Sequence, residues 1–187
     1  RGFDTTVPGE LRFGPQITRI AYDSGAENNE PPVGIHEWRD ITATSSPVVY
    51  IFAGRRIHKV QDKNLDQVGA LALAASATCT AIHDDGAGVP YIYIAEGASN
   101  IQRMNISNTV TTGTVARDQI ASIHGYFYGS VQPSANAGYC GISFVLPGSD
   151  PFTAANWSST TVVGWVTTNI NAIRSVRGIP VVIKPEG

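Results

Sequence analysis

Charge is scarce in this 187-residue sequence: Asp, Glu, Lys and Arg together make 15% of it, against roughly a quarter in an average soluble domain. The net charge is −2, with no basic excess to draw the chain to nucleic acid or to anionic lipid, so neither partner is expected. Cysteine is nearly absent. Cys79 and Cys140 are too few and too far apart for a disulfide framework, and both read as small buried core residues with free thiols. Long hydrophobic runs are missing as well. VGALALAASA, from Val68 to Ala77, falls far short of the roughly 20 residues of a membrane span, and no membrane insertion is expected.

Motifs of enzymatic chemistry are also lacking. G-x-S-x-G, the P-loop and C-x-x-C do not occur, and HEWRD puts Asp40 where H-E-x-x-H needs its second histidine. His36 reads as a loop residue after the polar AENNEPP. His83, Asp84 and Asp85 in TAIHDDGAGVPY are the densest ionisable cluster, but Asp-Gly before a strand is turn chemistry, and the spacing misses the calcium loop. No catalytic residue, metal site or cofactor is expected.

Glycine (19 residues), proline (11) and hydrophobic residues (42%) are plentiful, a balance that favours strands and turns. One design recurs: PVVYIFAG (Pro47 to Gly54), PYIYIAEG (Pro90 to Gly97) and PVVIKPEG (Pro180 to Gly187). Each is preceded by a shorter strand-like stretch, around Ile41, Ile82 and Ile173, with a fourth, ASIHG, around Ile123. The isoleucines are spaced by 41, 41 and 50 residues. The longer interval holds HGYFYGSVQPSANAG, read as an insertion that delays the second strand of its unit to YCGISFVLPG. Hairpin turns GRR and GASN lead into third segments IHKVQD and IQRMNIS, and fourth segments follow in LDQVGALALA, NTVTTGTVA and TTVVGWVT.

Four short strands to a unit, repeated at about 40 to 45 residues, describe a β-propeller blade, and the fold class is all-β and propeller-like; the alternative is a β-sandwich. The approximate units are 38–76, 77–117, 118–167 and 168–187 of a single domain. The last unit ends after its second strand. Either residues 10–23, which include ELRFG and QITRIAYD, supply closing strands, or the chain is a fragment of a longer one, as its opening RGFDTT suggests.

NAIRSVRGIPVVIKPEG resembles the blade pattern of propeller repeats in phage and phage-like structural proteins, where a strand, a turn with arginine and glycine, and a second strand ending in Glu-Gly recur. The likeness runs from Trp38 to Gly187, without the Trp-Asp signature of WD repeats or the double glycine of kelch repeats. It implies a virion or surface-interaction role, in a virion or an extracellular setting, with other virion subunits among the partners and no catalytic residues to carry over.

The expected function is therefore a non-catalytic structural or binding module that meets a protein or glycan surface through its loops. Candidate contacts are Tyr126, Phe127 and Tyr128, flat apolar rings with polar tips, and the basic GRRIHK cluster of Arg55, Arg56, His58 and Lys59. YFY also reads as a strand with inward aromatics. Trp38, Trp157 and Trp165 are expected between blades, and Asn105 and Asn156 lie in N-x-S sequons. Two alternatives stand beside this reading. One is a secreted glycan-binding or glycan-active enzyme of propeller fold, with carboxylates such as Asp84, Asp85 or Glu96 in a central channel. The other is a cellular protein-interaction scaffold.

Overall fold

The computed structural model describes residues 3–4, 12–13, 21–22, 32–38, 48–61, 64–67, 73, 76–88, 90–97, 99–131, 140–163 and 169–184. Its strands are β1 (Phe3–Asp4), β2 (Arg12–Phe13), β3 (Ala21–Tyr22), β4 (Pro32–Trp38), β5 (Val48–Ala53), β6 (Arg56–Gln61), β7 (Asn64–Gln67), β8 (Cys79–His83) and β9 (Tyr91–Ala95). They continue with β10 (Asn100–Met104), β11 (Val110–Ala116), β12 (Ile120–Ile123), β13 (Tyr126–Val131), β14 (Gly141–Val145), β15 (Thr161–Val162), β16 (Ala172–Val176) and β17 (Ile179–Ile183). A 3-10 turn at Ala154–Asn156 lies between β14 and β15. No helix among the described residues is long and apolar enough to cross a membrane.

Neighbours in sequence are neighbours in the sheets. β4 to β7, β8 to β11 and β12 to β15 form three antiparallel meanders in strict order, β16 and β17 form a hairpin, and β1 pairs with β2. Two tight turns show how the sequence enforces this. His124-Gly125 (φ 51° and 79°) joins β12 to β13, and Arg177-Gly178 (φ 52° and 82°) joins β16 to β17. Consecutive positive φ values match the twist of a two-residue hairpin, and glycine in the second place removes half of the steric cost.

Period-two alternation then sorts the side chains between two cores. Ala81 pairs with Tyr93 and Ile82 with Ile92, so Cys79, Ala81, Tyr93 and Ala95 share one face of the second sheet while Ile92 and Ile94 share the other. The Ile92 face packs on Trp38, Tyr50, Phe52 and Ile57 of the first sheet. The Tyr93 face packs on Ile120, Phe127 and Val145 of the third. The third sheet in turn meets Ile170 and Ile173 with Ile123 and Cys140. Phe52, Ile92, Ile94 and Phe127 are wholly buried, each contributing about 1.5–3 kcal/mol of transfer free energy. The chain is thus all-β, a succession of small sheets stacked face on face in a propeller-like or sandwich-like manner. First strands β4, β8, β12 and β16 lie side by side.

Several expectations change. The partner of PVVYIFAG is Pro32–Trp38, upstream of the stretch around Ile41, which lies outside the described residues. His36 is therefore on a strand and not in a loop: alternation in VGIHEW places it on the same side as the buried Trp38. YFYGSV is no insertion. It is β13, the second strand of its sheet, and it pairs on one side with β12 and on the other with β14, so YCGISFV supplies the third strand. Of the amino-terminal segments, Arg12–Phe13 pairs with Phe3–Asp4, and Ala21–Tyr22 runs parallel to β7. Among the described residues neither pairs with β16–β17; the rest of residues 10–23 lies outside the described residues. Both cysteines are buried free thiols.

Candidate binding cleft

The first strands form a cleft along their length. One concavity of about 260 Å³ is lined by His36 of β4, Thr80 and Ile82 of β8, Ser122 of β12, and Arg174 and Ser175 of β16. A second, of about 410 Å³, adjoins it through the shared Ile82 and Ser122 and is bounded by His83, Asp84, Gly86 and Pro147. The adjacency of the strands is what gathers these polar groups, since they come from four different sheets.

Two hydrogen bonds tie successive first strands. His36 Nε2 and Thr80 Oγ1 are 2.7 Å apart, and His83 Nδ1 and Ser122 Oγ 3.1 Å apart. Burial holds the pKa of His36 below its ordinary value. His83 is lowered too: burial outweighs the opposing pull of Asp84, Asp85 and Asp150. Its ring stands against Phe127 at 5.0 Å and Tyr93 at 6.0 Å between centroids. Both imidazoles are neutral at pH 7, so each offers one donor and one acceptor. Nε2 of His83 is buried and has no hydrogen-bond partner among the described residues.

The wall beside His83 is the turn expected of TAIHDDGAGVPY. Asp84 Oδ1 accepts from the backbone N–H of Gly86 at 2.9 Å and of Gly88 at 3.2 Å, and Asp85 Oδ1 from that of Ala87 at 3.1 Å. The turn is also clamped from outside. Arg103 of β10 pairs with Asp85 at 3.2 Å and with Asp150 at 3.0 Å, its guanidinium 4.3 Å from the centroids of both Tyr91 and Phe152. Arg103 went unnoticed in the sequence. The available signal was a single arginine in the otherwise uncharged strand NIQRM.

The other candidates do not gather at this cleft. Phe127 is fully buried in the core, so it offers no face to a partner, while Tyr126 and Tyr128 are half-buried on β13, their rings 6.2 Å apart. Arg55 is exposed at the β5–β6 turn, with its Nε donating to the carbonyl of Leu73 at 2.8 Å. Arg56 is half-buried and His58 is buried. GRRIHK thus runs from the β5–β6 turn at Gly54-Arg55 into strand β6. Glu96 is buried just past β9. Trp38 is buried, Trp157 is half-buried with Arg117 stacked 4.1 Å from its ring centroid, and Trp165 lies outside the described residues.

No protein-family model matches the sequence, and no curated protein matches it. Among solved structures the chain is similar to selenomethionine-substituted virginiamycin B lyase from Staphylococcus aureus, a propeller-fold protein, with a TM-score of 0.58 and 12% identity. The match covers 86% of this chain and 51% of that one, so the chain spans about half the length of the lyase. The likeness is one of fold.

Proposed function

We propose that the stacked sheets are blades of a β-propeller and that the chain is a non-catalytic binding module whose ligand seat is the cleft between the first strands. Support for a propeller over a sandwich comes from the order of packing: each sheet lies on the next, through three successive cores, whereas a sandwich needs two sheets. The observation that carries the binding reading is the convergence of His36, Thr80, Ser122, Arg174 and Ser175, from four sheets, on one concavity. Neutral imidazoles, hydroxyls and one guanidinium suit a polyhydroxylated ligand, which offers donors and acceptors in alternation. A glycan is the favoured class. The surface-interaction and virion setting implied by the PVVIKPEG-type repeat belongs to the same reading.

A glycan array followed by calorimetry tests it. Arg174→Ala is expected to weaken the selected ligand about tenfold, the worth of one hydrogen bond to or from a charged group, with thermal stability little changed. Ser122→Ala is expected to weaken it similarly and to cost about 1–3 kcal/mol of stability, because it also removes the partner of the buried His83 Nδ1. Binding that is indifferent to both substitutions would sink the assignment of the cleft. Co-sedimentation of the native protein with particles is the corresponding test of the virion setting.

One observation favours a second reading, an enzyme of propeller fold. The unpartnered Nε2 of neutral His83 belongs to a residue lining the larger concavity beside Asp84, and a neutral imidazole is a competent general base. Product formation from a bound ligand, abolished by His83→Gln with binding retained, would establish it over the non-catalytic reading.

A further inference from the structure

We propose that the larger concavity is an apolar annex of the cleft that receives an aromatic group carried on the bound sugar, so that the favoured ligand is an aryl glycoside. The inference rests on the glycan reading of the cleft and narrows it. Two concavities meet at Ile82 and Ser122, and their walls differ in kind. The smaller one carries His36, Thr80, Ser122 and Ser175, groups that answer hydroxyls. The larger one is walled by Ile82, Pro90 and Pro147 and by the backbone at Gly86, Gly125 and Gly148. All of these belong to the second and third sheets and to the turns that join their strands.

The polar side chains of the annex are already engaged. Ser122 Oγ lies 3.1 Å from His83 Nδ1, and Asp84 Oδ1 accepts from the backbone N–H groups of Gly86 and Gly88. Nε2 of His83 is shut off from solvent. A hydroxyl-rich ring placed there would lose its hydration for few hydrogen bonds, a cost that an apolar group does not bear. The occupant is therefore apolar, and the sugar that carries it lies across the boundary at Ile82 and Ser122. Shape points to a ring. Gly86, Gly125 and Gly148 all have positive φ, 91°, 79° and 75°, and glycine in that conformation leaves bare backbone to face a ligand. Peptide planes and two pyrrolidine rings make flat walls. Size agrees, because roughly 150 Å³ is enough to hold benzene and the annex offers about 410 Å³, room for an aryl group and the bond that joins it to the sugar.

Calorimetry with a panel of common hexoses, each as its methyl, octyl and 4-nitrophenyl glycoside, reads the outcome. For the hexose that binds, the 4-nitrophenyl glycoside is expected to bind at least about tenfold more tightly than the methyl glycoside, the worth of taking most of one ring out of water. Pro147 is exposed, so Pro147→Asp is expected to fold, as circular dichroism will show, and it sets a carboxylate on the wall of the annex. Within that variant the ratio of the two affinities is expected to fall to about one, because a buried ring beside an unpaired charge costs what it gains. Equal binding of the methyl and 4-nitrophenyl glycosides by the parent protein would overturn the annex and leave the glycan reading standing. An octyl glycoside that gains as much as the aryl one would overturn the aromatic assignment, and a gain that survives Pro147→Asp would put the ring elsewhere. Binding of no glycoside in any form would remove the glycan reading and the annex with it.

Discussion

Arg103 Nη1 donates to Asp150 Oδ1 at 3.0 Å, and the contact joins β10 of the second sheet to the loop that follows β14 of the third. The guanidinium is held between the rings of Tyr91 and Phe152 and also pairs with Asp85, whose side chain is 10% exposed. Removing the cation strands that carboxylate and unstacks both rings. Arg103→Ala is expected to cost about 2–3 kcal/mol, below the full range for a buried pair because Asp150 is partly solvated. Arg103→Lys restores little, since a compact ammonium neither stacks on two rings nor reaches two carboxylates in a plane. Urea unfolding of the two variants measures both effects.

Tyr126 and Phe127 are neighbours with opposite roles. Phe127 is wholly buried against Tyr93, at 4.8 Å between ring centroids, and truncation there opens a cavity. Phe127→Ala is expected to cost about 3–5 kcal/mol. Tyr126 keeps part of its surface in solvent, beside Phe144 at 5.7 Å, and Tyr126→Ala is expected to cost about 1 kcal/mol, the value of one aromatic pair. Thermal melts separate them. A binding test that changes the whole Tyr126-Phe127-Tyr128 triplet would therefore report lost folding, while Tyr126→Ala alone would report contact.

Much of this architecture was legible because its signals are local. The isoleucine markers Ile82, Ile123 and Ile173 all fall on first strands, and the glycine after Arg177 falls in the arginine-glycine turn expected there, whereas the turn at His124-Gly125 opens the stretch read as an insertion. Errors came where two segments compete for one role. YFYGSV and YCGISFV are both apolar and both half-aromatic or glycine-bearing, and only pairing across β12 and β14 decides which is second. Pro32–Trp38 was hidden by its exposed Pro, Val and Glu, a pattern that reads as loop until Trp38 and His36 are seen on one side. The cleft itself was not legible. His36, Ser122 and Arg174 are far apart in sequence, and nothing but the adjacency of first strands brings them together.

Three histidines carry the pH dependence. Burial lowers the pKa of His36, of His58 (with Arg56 adding to the effect) and of His83. With the folded values depressed, all three are neutral in both states above the ordinary value near 6.5 and stability is complete there. As pH falls below it, the unfolded chain takes up protons that the folded chain refuses, so stability declines until the folded values are passed. Each histidine adds a slope of up to about 1.4 kcal/mol per pH unit. Melting temperature is expected to drop between neutral and mildly acid pH, and His58→Gln to flatten the drop. A flat profile in the parent protein would show that these imidazoles are solvated.

Gly86 and Gly88 offer a matched pair for the loop that walls the cleft. Both have positive φ, 91° and 80°, so alanine at either pays about 1–2 kcal/mol for the left-handed backbone. They differ in what a methyl group would meet. At Gly86 it would sit 2.6 Å from the carbonyl oxygen of Gly148, backbone that cannot rotate away, whereas at Gly88 nothing lies within 4 Å. Gly86→Ala must therefore push the turn after β8 away from the loop after β14 and widen the larger concavity, at a total cost of about 2–4 kcal/mol. Gly88→Ala bears the conformational cost alone. Urea unfolding should separate the two by about 1–2 kcal/mol, the share of close approach, and a ligand seated between Asp84 and Gly148 should lose affinity for Gly86→Ala and keep it for Gly88→Ala. Equal losses in both variants would mean that the two loops part without cost, and that the wall of the cleft is set by the Arg103 clamp instead.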